Sequence, residues 1–410
     1  MERKPDPVVL NFFLPMSLQR NEGDNVFLEL IDAYNLAHDD VQIQVEGLPI
    51  KDGYNEVLEK RLSSGKGDDI FVVNADSVKG FVSRGYLYDL SELPTFDKLF
   101  VSAREQAVMD GVTYTIPLTM AVYGMYVNTD LLARYGLSAP TNYQEWIHCC
   151  QVLKENGITP CAISRWYGMT VPVMARGLYK LYRAENYDEL VEGLNAGTIQ
   201  IGDYMIEGFQ LFEEFLDKGY YGEGLTGAYV DSIPGATTDL TDFQNQKVAF
   251  GFFNCSVQKR FDDATPFNYV GQGVPVMPDG VVTLPSIADR LCVNANSEHL
   301  EQALDAARYL TDDMDAMLLT EGSCFLPSRR GQKGMPPNAE HIENLIDLVE
   351  QDGQIPIEDM NLHFTYWDTV RILCLEMIDG MSAEEAAQAY NRIQLEQLQA
   401  YERDRQAAQR

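Results

Sequence analysis

The sequence predicts an α/β protein built as two domains, and three observations carry that prediction. At 410 residues the chain exceeds the ~250–300 residues at which a single hydrophobic core stops growing. Hydrophobic residues make up 45% and aromatics 10%, enough apolar surface to offset the chain entropy lost on folding, which excludes global disorder. Between Val8 and Val73 strand-like apolar runs alternate with helical stripes, the pattern of a parallel sheet with helices packed on it.

Val8 to Leu14 reads as a buried strand, and after the polar loop Ser17 to Asp24 a helix carries Phe27, Leu30, Ile31 and Tyr34 on one face. Val41, Ile43 and Val45 alternate with Gln42, Gln44 and Glu46, the period of a half-buried strand. Tyr54, Val57, Leu58 and Leu62 form the next helix stripe, which ends at Ser64-Gly65, and Ile70 to Val73 is a short apolar strand. Asp110-Gly111 marks a turn before a strand at Tyr114 to Pro117, with Tyr123 to Val127 as a further strand. Asn128 to Asp130 caps a helix that stops at Gly136, and Thr141 to Gln144 opens one that runs to Gly157. Residues 204–218 predict a helix, 226–239 a Gly/Thr/Asp-rich loop, Asp242 to Gln246 a helical turn and Lys247 to Phe253 a strand. Amphipathic helices are expected at 299–319 and 339–351, and another from Trp367 to Asp379. Beyond Ser382 the Ala, Glu, Gln and Arg content predicts a surface helix with a weak apolar stripe, fraying toward Arg410.

Lys and Arg total 31 against 62 Asp and Glu, a formal net charge of −31. Neutralising a phosphate backbone or anionic lipid takes clustered cations, so no nucleic-acid partner is expected. No run approaches the ~18 apolar residues of a membrane span. Behind Met1-Glu2-Arg3-Lys4-Pro5 there is no apolar segment, so a secretion signal is expected to be absent or already removed. The seven cysteines (149, 150, 161, 255, 292, 324, 374) lack Cys-x-x-Cys spacing and sit in apolar surroundings. Buried free thiols are the expectation, and the five scattered histidines offer no zinc site. Cysteine usage alone favours a reducing compartment. Gly-x-Gly-x-x-Gly, Gly-x4-Gly-Lys-Ser/Thr, Gly-x-Ser-x-Gly, His-Glu-x-x-His and the EF-hand loop do not occur. Acidic pairs such as Asp68-Asp69, Asp262-Asp263 and Asp312-Asp313 read as solvated faces. No cofactor, no metal and no catalytic residue is predicted.

Asp69 to Asp76 (DIFVVNAD), followed by Gly80-Phe81-Val82 and Gly85 to Leu90 (GYLYDL), resembles a hallmark of family 1 extracellular solute-binding proteins. These are the maltose-binding-protein-like receptors of carbohydrate ABC importers. Four more blocks resemble the family in order: Asp110 to Pro117 with Tyr126 to Leu132 and Gly136 to Thr141; Gln246 to Phe250; Val293 to Ser297; and Tyr366-Trp367 with Gly380 to Ala386. The resemblance implies a two-lobe, type II periplasmic-binding-protein-like fold, each lobe a mixed β-sheet flanked by helices, with sugar held in a cleft that closes. Lobe boundaries are expected at 1–119 with 286–326 and 120–285 with 327–410, and crossings near Thr119 to Met125, Pro285 to Arg290 and Leu326 to Arg330. The implied protein is a monomeric, non-catalytic receptor that passes sugar to membrane permease subunits, exported as a cell-surface lipoprotein or to the periplasm. Export opposes the cysteine reading.

A sugar ring has C–H faces that suit aromatic platforms and hydroxyls that need paired donors and acceptors. Of the three tryptophans, Trp146 has the helical spacing of a core residue, whereas Trp367 aligns with the family's stacking position. Trp166 and Tyr167, in the loop after Ala162-Ile163-Ser164, face the cleft in the corresponding architecture. Asp76 matches a cleft carboxylate, with helix N-cap as its alternative role, and Asn74 stands before it at the carboxyl end of a strand, where open α/β sheets bind ligands. Asn254 and Ser256 occupy the equivalent rim of the second lobe, and Tyr123, Ser17 and Gln19 complete the candidates. Ala121 stands where maltose-binding protein presents a carboxylate, which argues against maltose as ligand. Two rivals remain at this level: a receptor for a non-sugar such as a polyamine, and a carbohydrate-active enzyme.

Overall fold

The structure, a computed structural model, describes residues 6–15, 27–49, 52–261, 265–312, 326–328 and 339–408. The chain divides into two compact units, Met1–Met120 with Ile287–Met335, and Ala121–Ser286 with Pro336–Arg410. Unit 1 opens with β1 (Val8–Pro15), α1 (Leu28–Ala37), β2 (Val41–Leu48), α2 (Tyr54–Ser63), β3 (Ile70–Val73) and α3 (Ala75–Ser83). After α4 (Val101–Glu105) comes the hairpin β4 (Val108–Met109) and β5 (Val112–Thr113), and then β6 (Ile116–Asn128), within which the chain passes to unit 2.

Unit 2 holds α5 (Thr129–Ala133), α6 (Tyr143–Glu155), β7 (Thr159–Cys161), α7 (Tyr167–Gly177), α8 (Tyr179–Tyr182), α9 (Tyr187–Asn195) and α10 (Gly202–Asp217). It continues with α11 (Gly227–Ser232), α12 (Gly235–Gln244), β8 (Val248–Asn254), α13 (Gln258–Phe261), β9 (Tyr269–Gln272), β10 (Val274–Met277) and β11 (Gly280–Val282). Within β12 (Leu284–Val293) the chain returns to unit 1, which adds α14 (Leu300–Asp312) and β13 (Leu326–Pro327). Unit 2 ends with α15 (Glu343–Leu348), α16 (Trp367–Ile378) and α17 (Ala383–Ala408).

In unit 1, β1 pairs in parallel with β2 from Val8↔Val41 to Pro15↔Leu48, and with β3 at Phe12↔Ile70. The right-handed β-α-β connection demands this arrangement once helices must cover both faces. β12 closes the other side of β3 antiparallel, Arg290 opposite Val73. Phe12, Phe13 and Leu14 of β1 are fully buried. The α2 stripe Tyr54, Leu58 and Leu62 faces inward at helical spacing, and the Tyr54 hydroxyl lies 2.7 Å from the Val72 carbonyl and 3.0 Å from that of Phe13.

In unit 2, β6 runs antiparallel to β8, with Tyr123 opposite Asn254, and to β9, with Met125 opposite Gln272. β7 lies parallel to β8. Gly124 admits the close approach of β9, since a Cβ there would stand 2.3 Å from the Gln272 carbonyl oxygen. Trp146 is fully buried against Phe215, ring centroids 4.7 Å apart, as its spacing predicted. Helix α7 contains Pro172, which cannot donate to the carbonyl of Gly168 one turn earlier. The Tyr221 hydroxyl donates to that carbonyl instead, at 2.9 Å.

Several expectations need correction. The hairpin turn at Asp110 and Gly111, both with positive φ (51° and 77°), leads into β5 at Val112–Thr113, the two-residue loop matched to strand twist. The stretch from Ile116 to Asn128, read as two strands, is one strand of 13 buried residues. Residues 226–239 are not a loop: α11 and α12 occupy most of them, with Thr226 capping through its side chain to Tyr229 N–H and Val230 and Leu240 buried. Helix α17 is present as expected, but its inward stripe is stronger than the sequence suggested. Ala383, Ala386, Tyr390 and Gln394 are buried, and the Gln394 amide binds the carbonyls of Leu194 and Ile199 and the Ile201 N–H.

Candidate functional site

Unit 2 brings together three of the aromatic candidates. The Tyr123 ring lies 5.2 Å from Tyr167 and 5.4 Å from Trp367, and Tyr167 lies 6.0 Å from Trp367, centroid to centroid. Tyr123 projects from the middle of β6, while Tyr167 and Trp367 are the first residues of α7 and α16. Tyr167 therefore sits on a helix and not in the loop that the sequence suggested, because the helix starts immediately after Trp166. Tyr123 is buried, and Tyr167 and Trp367 are half-buried, so the cluster is a floor in which two residues reach solvent. Burial pushes the Tyr123 phenol far above its ordinary range, with the neighbouring Tyr167 adding to the rise. Burial also raises the phenol of Tyr167.

Asn254 ends β8 directly across from Tyr123. Its Oδ1 accepts from the Ser256 N–H at 3.0 Å and the Ser256 hydroxyl at 2.5 Å, which caps the turn Cys255–Val257 and joins the two residues as one polar group. Trp367 is held from its backbone: its N–H donates to Glu358 at 2.9 Å, and the Tyr366 N–H donates to the same carboxylate at 3.0 Å. A carboxylate at this helix start satisfies two orphan donors and meets the positive end of the helix dipole.

Trp166 is flanked by two guanidinium groups, Arg371 at 4.6 Å and Arg165 at 5.6 Å from its ring. Both reach the same oxygen of Asp231, at 2.8 Å from Arg371 and 3.3 Å from Arg165. Just before this segment, the buried Ser164 hydroxyl donates to buried Asp239 at 2.5 Å. Desolvation, with a smaller contribution from Asp242, raises the Asp239 carboxyl to about 7.

The unit 1 candidates are placed as follows. Asn74 precedes α3 in extended conformation and its Oδ1 accepts from the Ser77 hydroxyl at 3.2 Å. Asp76 is the second residue of α3, so the N-cap position offered as its alternative belongs to Asn74; its carboxylate lies outside the described side chains. Ser17 and Gln19 lie outside the described residues.

Sequence reasoning missed Arg165, Arg371, Asp231, Glu358, Ser164 and Asp239. A signal existed for Arg371, which stands four residues after Trp367 and so shares its helix face. None existed for Asp231, 140 residues away from Arg371 in sequence. Among the described residues no group of three or more His, Cys, Asp or Glu is placed to hold a metal. Cys149, Cys150, Cys161, Cys255, Cys292 and Cys374 are buried and free, as expected, while Cys324 lies outside the described residues. No helix among the described residues is long and apolar enough to cross a membrane.

Comparison with known proteins agrees with this architecture. A binding protein of Brucella abortus (strain 2308) is 20% identical over 338 residues, covering 80% of this chain and 78% of that protein. A family 1 extracellular solute-binding protein from Bifidobacterium longum subsp. infantis superposes with a TM-score of 0.75 at 16% identity, covering 94% of this chain and 98% of the other. The sugar-binding protein MalE from Xanthomonas citri gives 0.75 at 15% identity, covering 96% and 98%. The fold is thus the two-lobe, type II α/β fold of such proteins. The family model for bacterial extracellular solute-binding proteins matches residues 20–317, and the chain belongs to that family.

Proposed function

We propose that this protein is a sugar receptor, binding an oligosaccharide and delivering it to the permease subunits of an ABC importer. The observation that carries the reading is the floor of Tyr123, Tyr167 and Trp367, two of which reach solvent, beside the hydrogen-bonded pair Asn254 and Ser256. An apolar platform next to fixed polar groups answers the two faces of a sugar ring, each aromatic contact adding about 0.5–1.5 kcal/mol beyond burial. Asn74 and Asp76 are the candidates of unit 1 for hydroxyl contacts, with Ser17 and Gln19 as further candidates. Trp166 serves as a rim residue on this reading, since guanidinium groups stand over its ring.

The family consists of binding proteins, and the sugar-binding relative from Xanthomonas citri shares the fold. Function outside the cytoplasm, on a lipid anchor or free in a periplasm, follows from that membership in our reading. A cationic solute such as a polyamine fits less well, because two guanidinium groups border the aromatic floor.

Calorimetric titration with a panel of mono- and oligosaccharides tests the proposal. Trp367→Ala should weaken the best ligand by about 10- to 100-fold while the melting temperature stays within a few degrees of wild type. Unchanged affinity in that variant removes Trp367 from the site, and no binding by any sugar removes the reading.

A further inference from the structure

The two guanidinium groups beside Trp166 leave hydrogen-bond donors unused. Arg165 and Arg371 converge on one oxygen of one carboxylate, Asp231 Oδ1. Asp368 makes a second, longer ion pair with Arg371 Nε at 3.8 Å, beyond hydrogen-bond length, with its side chain 70% exposed. Arg371 Nε is buried and hydrogen-bonds to nothing. Of the remaining acids of this segment, Glu358 is committed to the N–H groups of Tyr366 and Trp367, and Asp239 is buried on Ser164. Arg165, at 47% exposure, is open to solvent.

Position gives the pair its meaning. Arg371 lies one helical turn beyond Trp367 on α16, and Arg165 and Trp166 immediately precede Tyr167. The cationic pair thus adjoins two residues of the aromatic floor along the chain. A guanidinium over an indole face keeps its in-plane N–H donors free for an anion, and planar forks match carboxylate and phosphate oxygens. The net charge of −31 does not cancel the effect, because charges farther than the ~8 Å Debye length are screened at physiological salt.

We infer that the sugar this protein captures bears an anionic group, a uronate carboxylate or a phosphate ester, received by Arg165 and Arg371 at the edge of the Tyr123–Tyr167–Trp367 floor. The inference rests on the sugar reading above and specifies its ligand class. Trp166 and Asp231 hold the two guanidinium groups, and the donors they leave unused receive the anion of the ligand.

Matched ligand pairs test it in calorimetric titrations: xylotriose with its glucuronic-acid-substituted form, galactose trimer with galacturonate trimer, and glucose with glucose 6-phosphate. At least one acidic member should bind ten-fold or more tightly than its neutral partner, with an advantage that shrinks between 20 mM and 300 mM NaCl (about a three-fold shorter screening length). The uronate and phosphate arms distinguish the two sources of charge. Exposed Arg165→Gln should cut the advantage to about three-fold or less, and Arg371→Lys, which keeps charge but loses the fork, should reduce it also. Neutral members that bind as tightly as their acidic partners overturn this inference and leave the sugar reading standing. Failure of every pair member to bind overturns both.

Discussion

The Ser164 hydroxyl stands 2.5 Å from the Asp239 carboxylate, with both side chains closed off from solvent. Among the described residues no cation is paired with Asp239, whose carboxyl is raised from 3.8 to about 7 by desolvation and then by Asp242. The folded state therefore holds a proton that the unfolded chain releases near pH 4. Stability attributed to this residue is fully present below pH 4 and falls as pH climbs through 7, by up to about 4 kcal/mol. Asp239→Asn should gain stability over wild type on going from pH 5 to pH 8 in urea unfolding. Parallel pH dependence in the two proteins would show that Asp239 titrates as an ordinary carboxylate.

Tyr221 and Pro172 form a compensating pair around the Gly168 carbonyl. Tyr221→Phe should cost about 1–3 kcal/mol, the penalty of leaving a buried acceptor unpaired. Pro172→Ala restores the backbone donor and should recover a good part of that loss in the double variant. If the two substitutions are simply additive in urea midpoints, the exchange of one donor for the other does not occur.

Gly124 faces the Gln272 carbonyl across β6 and β9 with no room for a methyl group. Gly124→Ala should destabilise by about 3 kcal/mol or more, because the obstacle is backbone and a side chain cannot move aside. A melting temperature within 2 °C of wild type (~1–2 kcal/mol at this size) would refute the close packing.

Burial pushes the thiols of Cys149, Cys150, Cys292 and Cys374 above their ordinary range, Cys149 to about 11. Since the thiolate is the reactive form, the native protein at pH 8 should consume at most one equivalent of a thiol reagent rapidly, and seven after denaturation. Rapid reaction of two or more in the native state would contradict the burial.

Much of unit 1 was legible because period and pairing coincide there: Val41, Ile43 and Val45 alternate, and Tyr54, Leu58 and Leu62 recur at helical spacing. Residues 226–239 misled because Gly, Thr and Asp are weak helix formers individually, yet burial of Val230 and Leu240 and the Thr226 cap outweigh propensity. Trp367 and Tyr167 could be picked out as aromatics, and their convergence on Tyr123 follows from strand and helix placement that no local pattern records. The Arg165, Arg371 and Asp231 group joins three separate segments, so only the folded chain displays it.

Helix α17 also sets an order of events. Its Gln394 supplies bonds that α9 and the start of α10 lack on their own, and the chain leaves unit 2 for unit 1 before returning to build it. A ribosome releases residues from the amino end, so this unit cannot close until residues 383–408 have been made. Its maturation waits for that helix, and a nascent chain stays threadable until then.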